Sequence, residues 1–182
     1  MPKQNKILVD TNAYLRLAQT VRPLLFVPFG DQQYCLYIIP ELNDELARHR
    51  LQLKFPWITE QEYRDNRQFS PKISKKQKKA IAENFDFIWR NIQTEPGPSR
   101  VDALYLAYAL ELNIPVVTDD QDMKKVAKEY DIIVMPTIEL LKIMYDAGHV
   151  TLSTVKGLVE YWRYIEDKPA NLDADYLKFF GA

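Results

Sequence analysis

One cysteine in 182 residues leaves no partner for an internal disulfide. Cys35 sits inside the apolar run Tyr34 to Ile39, where a buried, reduced thiol and an intracellular compartment are expected. The only histidines, His49 and His149, lie in no zinc-type spacing. Five glycines form neither a Gly-rich phosphate loop nor a Gly-x-Ser-x-Gly elbow, and a lone cysteine excludes a Cys-x-x-Cys pair. The sequence therefore carries no motif of a zinc site, a serine-nucleophile elbow or a Walker-type phosphate loop. Nor does any segment approach the roughly 18 uninterrupted apolar residues of a membrane span. The stretch before Asp10 is no signal-peptide core, so a soluble, cytoplasmic protein without a membrane partner is expected. A net charge of −1 excludes a strongly basic nucleic-acid binder, but not one whose basic residues are gathered on one side.

What the chain does have is acids at the ends of apolar strands. Lys6-Ile7-Leu8-Val9 is a β-branched burst that stops at Asp10, and a helical pattern (Tyr14, Leu15, Leu17, Ala18) begins directly after it. The same grammar recurs at Ile114 to Thr118, which runs into Asp119, Asp120 and Asp122 before another helix. In an open parallel sheet, ligands collect outside the carboxyl ends of strands, so two strand ends armed alike predict one shared acidic site. The plainer reading of Asp10 is a helix N-cap.

Between these ends, Gln33 to Ile39 reads as a second strand. Pro40 opens a helix expected from Glu41 to about Leu53, with an apolar stripe of Leu42, Leu46 and Leu53 and with His49 at the intervening turn. Glu45 falls on the core-facing side of that stripe, and Glu41 shares its face. Helical side chains lean toward the N-terminus, which aims Glu45 back at the preceding strand end; the plainer reading is a surface ion pair with Arg48 or His49. Glu95-Pro96-Gly97-Pro98 is a stop. The helix after it, from Val101 to Leu110, is apolar nearly all round and should be central. Ser99 and Asp102 fit a capping box at its head, a role compatible with a site beside the strand ends. Asn113 is suited to close that helix in a left-handed conformation. Gln121 to Tyr130 reads as a short amphipathic helix, Asp131 to Pro136 as another strand, and a further helix starts at Thr137. The alternation argues for a parallel α/β sheet.

Two stretches stand apart. Residues 54–98 contain Arg64, Arg67, Lys72, Lys75, Lys76, Lys78 and Lys79, with Trp57, Tyr63 and Phe69 interleaved. Basic groups beside stackable rings are what a single-stranded nucleic-acid groove requires, although such a run is also an ordinary solvated face. After Gly148 a last helical unit carries Leu152, Val155, Leu158, Val159, Trp162 and Ile165. Beyond Pro169, an apolar tail (Tyr176, Leu177, Phe179, Phe180) is expected to dock on the body or on a second subunit. Residues 1–148 form the expected main domain, with 54–98 a basic, helical insertion and 149–182 a helical extension.

Asp10, Glu45, Asp102, Asp120 and Asp122 come from separate elements that a parallel sheet can gather. Bare carboxylates about 4 to 5 Å apart repel by roughly 3 to 4 kcal/mol per pair at an effective dielectric near 20, so a cation belongs between them. Hard divalent ions such as Mg²⁺ or Mn²⁺ take oxygen ligands and complete their shell with water and substrate phosphate, which points to phosphoester chemistry.

These same residues carry a family resemblance. Ile-Leu-Val-Asp10-Thr11-Asn12, the segment from Pro40 to Glu45-Leu46, Asp102 at the head of an Ala-rich helix, and Val-Val-Thr118-Asp119-Asp120-Gln121-Asp122 together resemble the PIN domain, best known from VapC-type toxins. The resemblance runs from about Lys6 to Leu141. It implies an α/β/α sandwich with a central parallel sheet, and a Mg²⁺- or Mn²⁺-dependent endoribonuclease that hydrolyses phosphodiesters with metal-activated water. By motif match Asp10, Glu45, Asp102 and Asp120 are the acidic quartet, with Asp122 auxiliary and Asp119 in a variable position. Thr11, Asn12 and Thr118 are expected to orient carboxylates or the scissile phosphate. Arg64, Arg67, Lys72, Lys75, Lys76 and Lys79 are expected to grip the RNA backbone. An antitoxin protein or a homodimer partner is a further implication, although the long 54–98 stretch and the tail depart from compact toxins.

Two other readings remain open. A PIN-like scaffold that binds RNA or protein without turnover keeps the basic segment important and the acids dispensable. A haloacid-dehalogenase-like phosphatase would use Asp10 as its nucleophile, but it needs a second Asp where this chain has Asn12.

Overall fold

A computed structural model describes residues 4–92 and 97–181. Four parallel strands form the sheet: β1 (Asn5–Val9), β2 (Tyr34–Tyr37), β3 (Val116–Val117) and β4 (Val134–Met135), in the order β2-β1-β3-β4. β1 is buried along Ile7, Leu8 and Val9, because strands covered by helices must be apolar throughout rather than alternating. The chain leaves β1 for one neighbour, then returns to pair β3 on its other side. The switch point of the topology therefore lies between β1 and β3, and the crevice outside their carboxyl ends is where an α/β sheet offers a site. Across that junction Leu8 pairs with Val116 and Val9 with Val117, and the Asp10 N–H donates to the Val117 carbonyl at 3.1 Å.

The helices flanking the sheet are α1 (Thr11–Leu17), α2 (Glu41–Leu46), α3 (His49–Lys54), α4 (Gln61–Asn66), α5 (Lys75–Asn91), α6 (Arg100–Leu112), α7 (Gln121–Glu129), α8 (Thr137–Asp146), α9 (Leu152–Tyr164) and α10 (Leu172–Phe180). As its composition required, α6 buries Val101, Ala103 and the whole run from Tyr105 to Ala109, and Asn113 closes it at φ 51°, ψ 52°. Helix α7 turns Met123, Val126 and Ala127 inward. The aromatic tail folds as α10 against α8, with the Phe180 and Tyr145 rings 6.0 Å apart, while Leu177 stays exposed. Among the described residues no helix is long and apolar enough to cross a membrane.

Several expectations need correction. The helix expected from Glu41 to about Leu53 is two short helices, because Arg48 takes an extended conformation (φ −65°, ψ 128°) between α2 and α3. The apolar stripe ends with Leu46: His49 is exposed, and Leu53 is 68% exposed. A 3₁₀ turn over Pro56–Thr59 and α4 occupy the stretch after Lys54. The strands are shorter than their apolar runs, with β2 ending before Ile38 and β3 starting after Pro115, whose carbonyl still accepts the Leu8 N–H at 2.9 Å. The part of the expected stop at Glu95-Pro96 lies outside the described residues.

Candidate metal centre at the strand ends

The capping readings of Asp10 and Asp102 hold, Asp120 is a cap as well, and the three caps build the site. Asp10 caps α1 by accepting the Ala13 N–H at 2.7 Å, and Asp120 caps α7 by accepting Met123 N–H at 2.7 Å. Asp102 and Ser99 form the capping box of α6, at 2.8 and 3.2 Å. Capping fixes each carboxylate at a helix start, and these helix starts border the crevice between β1 and β3. Glu45, from α2, accepts a 2.5 Å hydrogen bond from the Thr11 hydroxyl, one residue after Asp10. It makes no ion pair with Arg48 or His49 among the described residues, so the bend back toward β1 is the reading that holds.

The acids feel one another. Burial pushes the Asp10 carboxyl up to about 7, with the negative charges of Asp102 and Asp119 adding to the rise and the Thr118 hydroxyl and Ala13 N–H opposing it. Asp102 is also raised, first by burial and then by Asp120 and Glu45. Tyr105, one turn beyond Asp102, is fully buried, and its hydroxyl is driven well above the usual phenol range by burial and by the charges of Asp10, Glu45 and Asp102. That hydroxyl approaches the Ile39 backbone but has no hydrogen-bond partner among the described residues. Asp10, Glu45 and Asp102 are thus electrostatic neighbours around an orphaned donor, and Asp120 joins them through Asp102.

Thr118, fully buried, receives the Asp120 N–H on its hydroxyl at 3.1 Å, so it holds the β3 end against Asp10. Asn12 is exposed at the start of α1. Asp122 is half-buried and pairs with Lys125 at 3.5 Å, which turns it toward its own helix. Asp119, which the motif left variable, is a buried anchor. It accepts the Thr137 N–H at 3.0 Å and the Thr137 hydroxyl at 2.5 Å, and it pairs with Arg16 at 3.5 Å. Glu41 lies against Tyr108, whose hydroxyl is pushed up to about 12 by burial and by that carboxylate. Sequence reasoning missed Tyr105, Arg16 and Thr137. Only Tyr105 left a signal, as a polar tip in a helix apolar nearly all round.

The donor set suits a hard divalent cation in charge and chemistry, because it is all oxygen, buried at Asp10 and partly buried at Glu45, Asp102 and Asp120, and short of positive charge. The orphaned Tyr105 hydroxyl also suits a hydrated ion, which would bring water into its reach. Among the described residues no three His, Cys, Asp or Glu side chains stand within coordinating range of one point. Binding an ion therefore requires the carboxylates to draw closer together. A cavity of about 820 Å³ lies at the opposite end of the sheet, by Asn5, Asn113 and Pro115, and plays no part here.

The basic segment divides. Arg64, Lys72, Lys75, Lys76 and Lys79 are exposed, and Lys79 pairs with Glu83 at 3.6 Å. Arg67 does not face solvent. It is 6% exposed and donates to the Tyr14 hydroxyl (3.0 Å), the Ile58 carbonyl (2.6 Å) and Asn43 Oδ1 (3.2 Å), so it ties α4 to α1 and α2. Trp57 and Tyr63 are core residues rather than stacking platforms, packed with their rings 4.7 Å apart. Phe69 is partly exposed but already stacked on Phe26 at 4.2 Å.

No curated protein matches the chain at a significant level. The family model described as PIN domain matches residues 7–129, well over half of the chain. That span begins inside β1 and holds Asp10, Glu45, Asp102 and Asp120, the acids that the fold gathers at its switch point, and the chain belongs to the PIN domain family.

Proposed function

We propose that the protein is a metal-dependent endoribonuclease that hydrolyses RNA phosphodiester bonds, with Asp10, Glu45, Asp102 and Asp120 as the residues that would hold Mg²⁺ or Mn²⁺. PIN domains are in general metal-dependent nucleases. The observation that carries the reading for this chain is Asp10: a fully buried carboxylate at the β1 end, raised to about 7 by burial and by neighbouring acids, with no cationic partner among the described residues. Held by these four carboxylates, a divalent cation would supply Lewis acidity for activating water near neutral pH and for stabilising the leaving oxygen. The chain's own groups do the positioning. Thr11 orients Glu45, Thr118 sets the β3 end beside Asp10, and Asp119 with Thr137 and Arg16 locks the loop that presents Asp120. Asp122 serves as an outer acid that can exchange Lys125 for the ion.

Arg64, Lys72, Lys75, Lys76 and Lys79 supply solvent-facing charge for the RNA backbone, and residues 54–98 act as the substrate-gripping insertion on a main domain of 1–148. The extension 149–182 completes the body through α9 and α10.

The test is cleavage of mixed single-stranded RNAs by purified protein in Mg²⁺, Mn²⁺ or chelator, beside Asp10→Asn. Metal-stimulated cleavage lost in Asp10→Asn supports the proposal; cleavage unchanged in that variant removes it. The wide spacing of the acids is the one observation that favours a silent RNA- or protein-binding module. RNA binding that survives both chelator and Asp10→Asn, with no cleavage in any metal, would select that reading. The narrower toxin role has its own assay. Growth arrest on expression, relieved by a small protein partner, supports it, and unaffected growth removes it.

A further inference from the structure

Beside the acids lies a second feature that the nuclease reading does not use. A cleft of about 450 Å³ opens between α1, α3 and α9, floored by Trp57 and Trp162. Asn12, two residues after Asp10, is on its rim. Inside it one carboxylate is held by two cations on different oxygens: Asp167 Oδ1 lies 3.4 Å from Arg16 Nη2, and Oδ2 lies 3.4 Å from Lys54 Nζ. Glu166, in a left-handed conformation (φ 55°), turns the chain after α9 so that Asp167 comes back over α1. The other guanidinium nitrogen of Arg16 pairs with Asp119, next to Asp120, and Arg16 Nε is buried without a partner among the described residues. Around this charge cluster stand two rings, Phe55, partly buried beneath Lys54, and Tyr161, 56% exposed.

Two cations converging on an exchangeable oxyanion, with an exposed ring alongside, is the arrangement that takes a nucleoside monophosphate unit. We propose that this cleft is a subsite for one nucleotide of a single-stranded RNA next to the scissile bond, with its phosphate displacing Asp167 from Arg16 and Lys54 and its base stacking on Tyr161. The assignment rests on the ribonuclease reading for its substrate class. Asp167 is then a built-in competitor. Its Lys54 pair is solvent-exposed and its Arg16 pair half-exposed on the Asp167 side, so both are weak, and a backbone phosphodiester held in place by its stacked base replaces it. A protein carboxylate from a partner fits the pair of cations less well, because it offers no aromatic base for the exposed ring.

Binding is measured without metal, so that it does not depend on cleavage. Indole N–H resonances of the 15N-labelled protein are followed in EDTA during titration with adenosine 5′-monophosphate, and again with adenosine. Trp57 and Trp162 should shift saturably, while Trp89, on α5, stays in place. Asp167→Asn should tighten the nucleotide about three- to tenfold, and Lys54→Ala should weaken it by a similar factor. Tyr161→Ala should weaken it about fivefold or more, and adenosine should bind more weakly than the monophosphate. The variants keep Trp57 and Trp162 as reporters, and unchanged resonances elsewhere show that each is folded. No saturable shift at millimolar nucleotide, equal shifts at Trp89, or an affinity indifferent to Asp167→Asn and Lys54→Ala would overturn the subsite. Failure of the nuclease reading looks different, since Asp10→Asn would still cleave RNA whatever these titrations show.

Discussion

Asp10→Asn is expected to stabilise the metal-free protein above neutral pH, which is the reverse of the usual effect of altering a buried polar residue. Burial, with added repulsion from Asp102 and Asp119, moves the Asp10 carboxyl from 3.8 to about 7 in the folded chain. The folded state therefore keeps a proton that the unfolded chain has released. Stability falls as pH rises from about 4 to about 7 and is level beyond that. A shift of about three pKa units at 1.36 kcal/mol each puts the loss near 4 kcal/mol at pH 8. Asparagine removes the charge and keeps the cap, because its side-chain oxygen accepts the Ala13 N–H as aspartate does. For a domain of this size that difference raises the melting temperature by on the order of 10 °C in EDTA at pH 8. At pH 4 the two proteins should melt nearly together. Saturating Mn²⁺ should stabilise the wild-type protein at pH 8 and leave Asp10→Asn almost unmoved, which narrows the gap. A variant that melts with or below the wild-type protein in EDTA at pH 8 would refute the claim that Asp10 is a carboxylate without a counter-charge.

Arg67→Ala should cost about 2–4 kcal/mol in a denaturant melt, because it strips three buried or part-buried acceptors and leaves a cavity, and Arg67→Lys should recover little of it. Asp119→Ala should cost about 2–4 kcal/mol by the same measurement, since Thr137 loses its acceptor and Arg16 its buried partner. Replacing Lys72, Lys75, Lys76 and Lys79 together with alanine should leave stability within about 0.5 kcal/mol. The same replacement should flatten the dependence of log K on log salt for single-stranded RNA by about 0.7 per lost phosphate contact, whereas an unchanged slope would remove that face from the RNA path.

Local grammar explains which features could be read from the sequence. An apolar burst ending in Asp10 or in Asp119-Asp120 announces a strand end, and the capping pattern Ser99 to Asp102 announces a helix start, because both depend on near neighbours only. The parallel sheet follows from the alternation of such signals. The break at Arg48 was hidden, since Glu41 to Leu53 carries no Gly or Pro, and only tertiary packing ends α2 at Leu46. Arg67 was misassigned for a related reason. Composition shows a basic run with aromatics, but whether a guanidinium meets solvent or the Tyr14 hydroxyl depends on a contact 53 residues away. Asp119 reads as a variable loop acid until Thr137 and Arg16 arrive from two other helices, and Tyr105 reads as core until the acids surround its hydroxyl.

The account stands on acids from β1, α2, α6 and β3 closing on one cation. Anomalous diffraction from Mn²⁺-soaked crystals looks for that ion directly. A manganese peak in inner-sphere contact with Asp10 and with at least one of Asp102 and Asp120, lost in Asp10→Asn, is the predicted result. Crystals in which manganese binds elsewhere, or in which those three carboxylates keep their cap geometry at saturating Mn²⁺ with no peak between them, would contradict it.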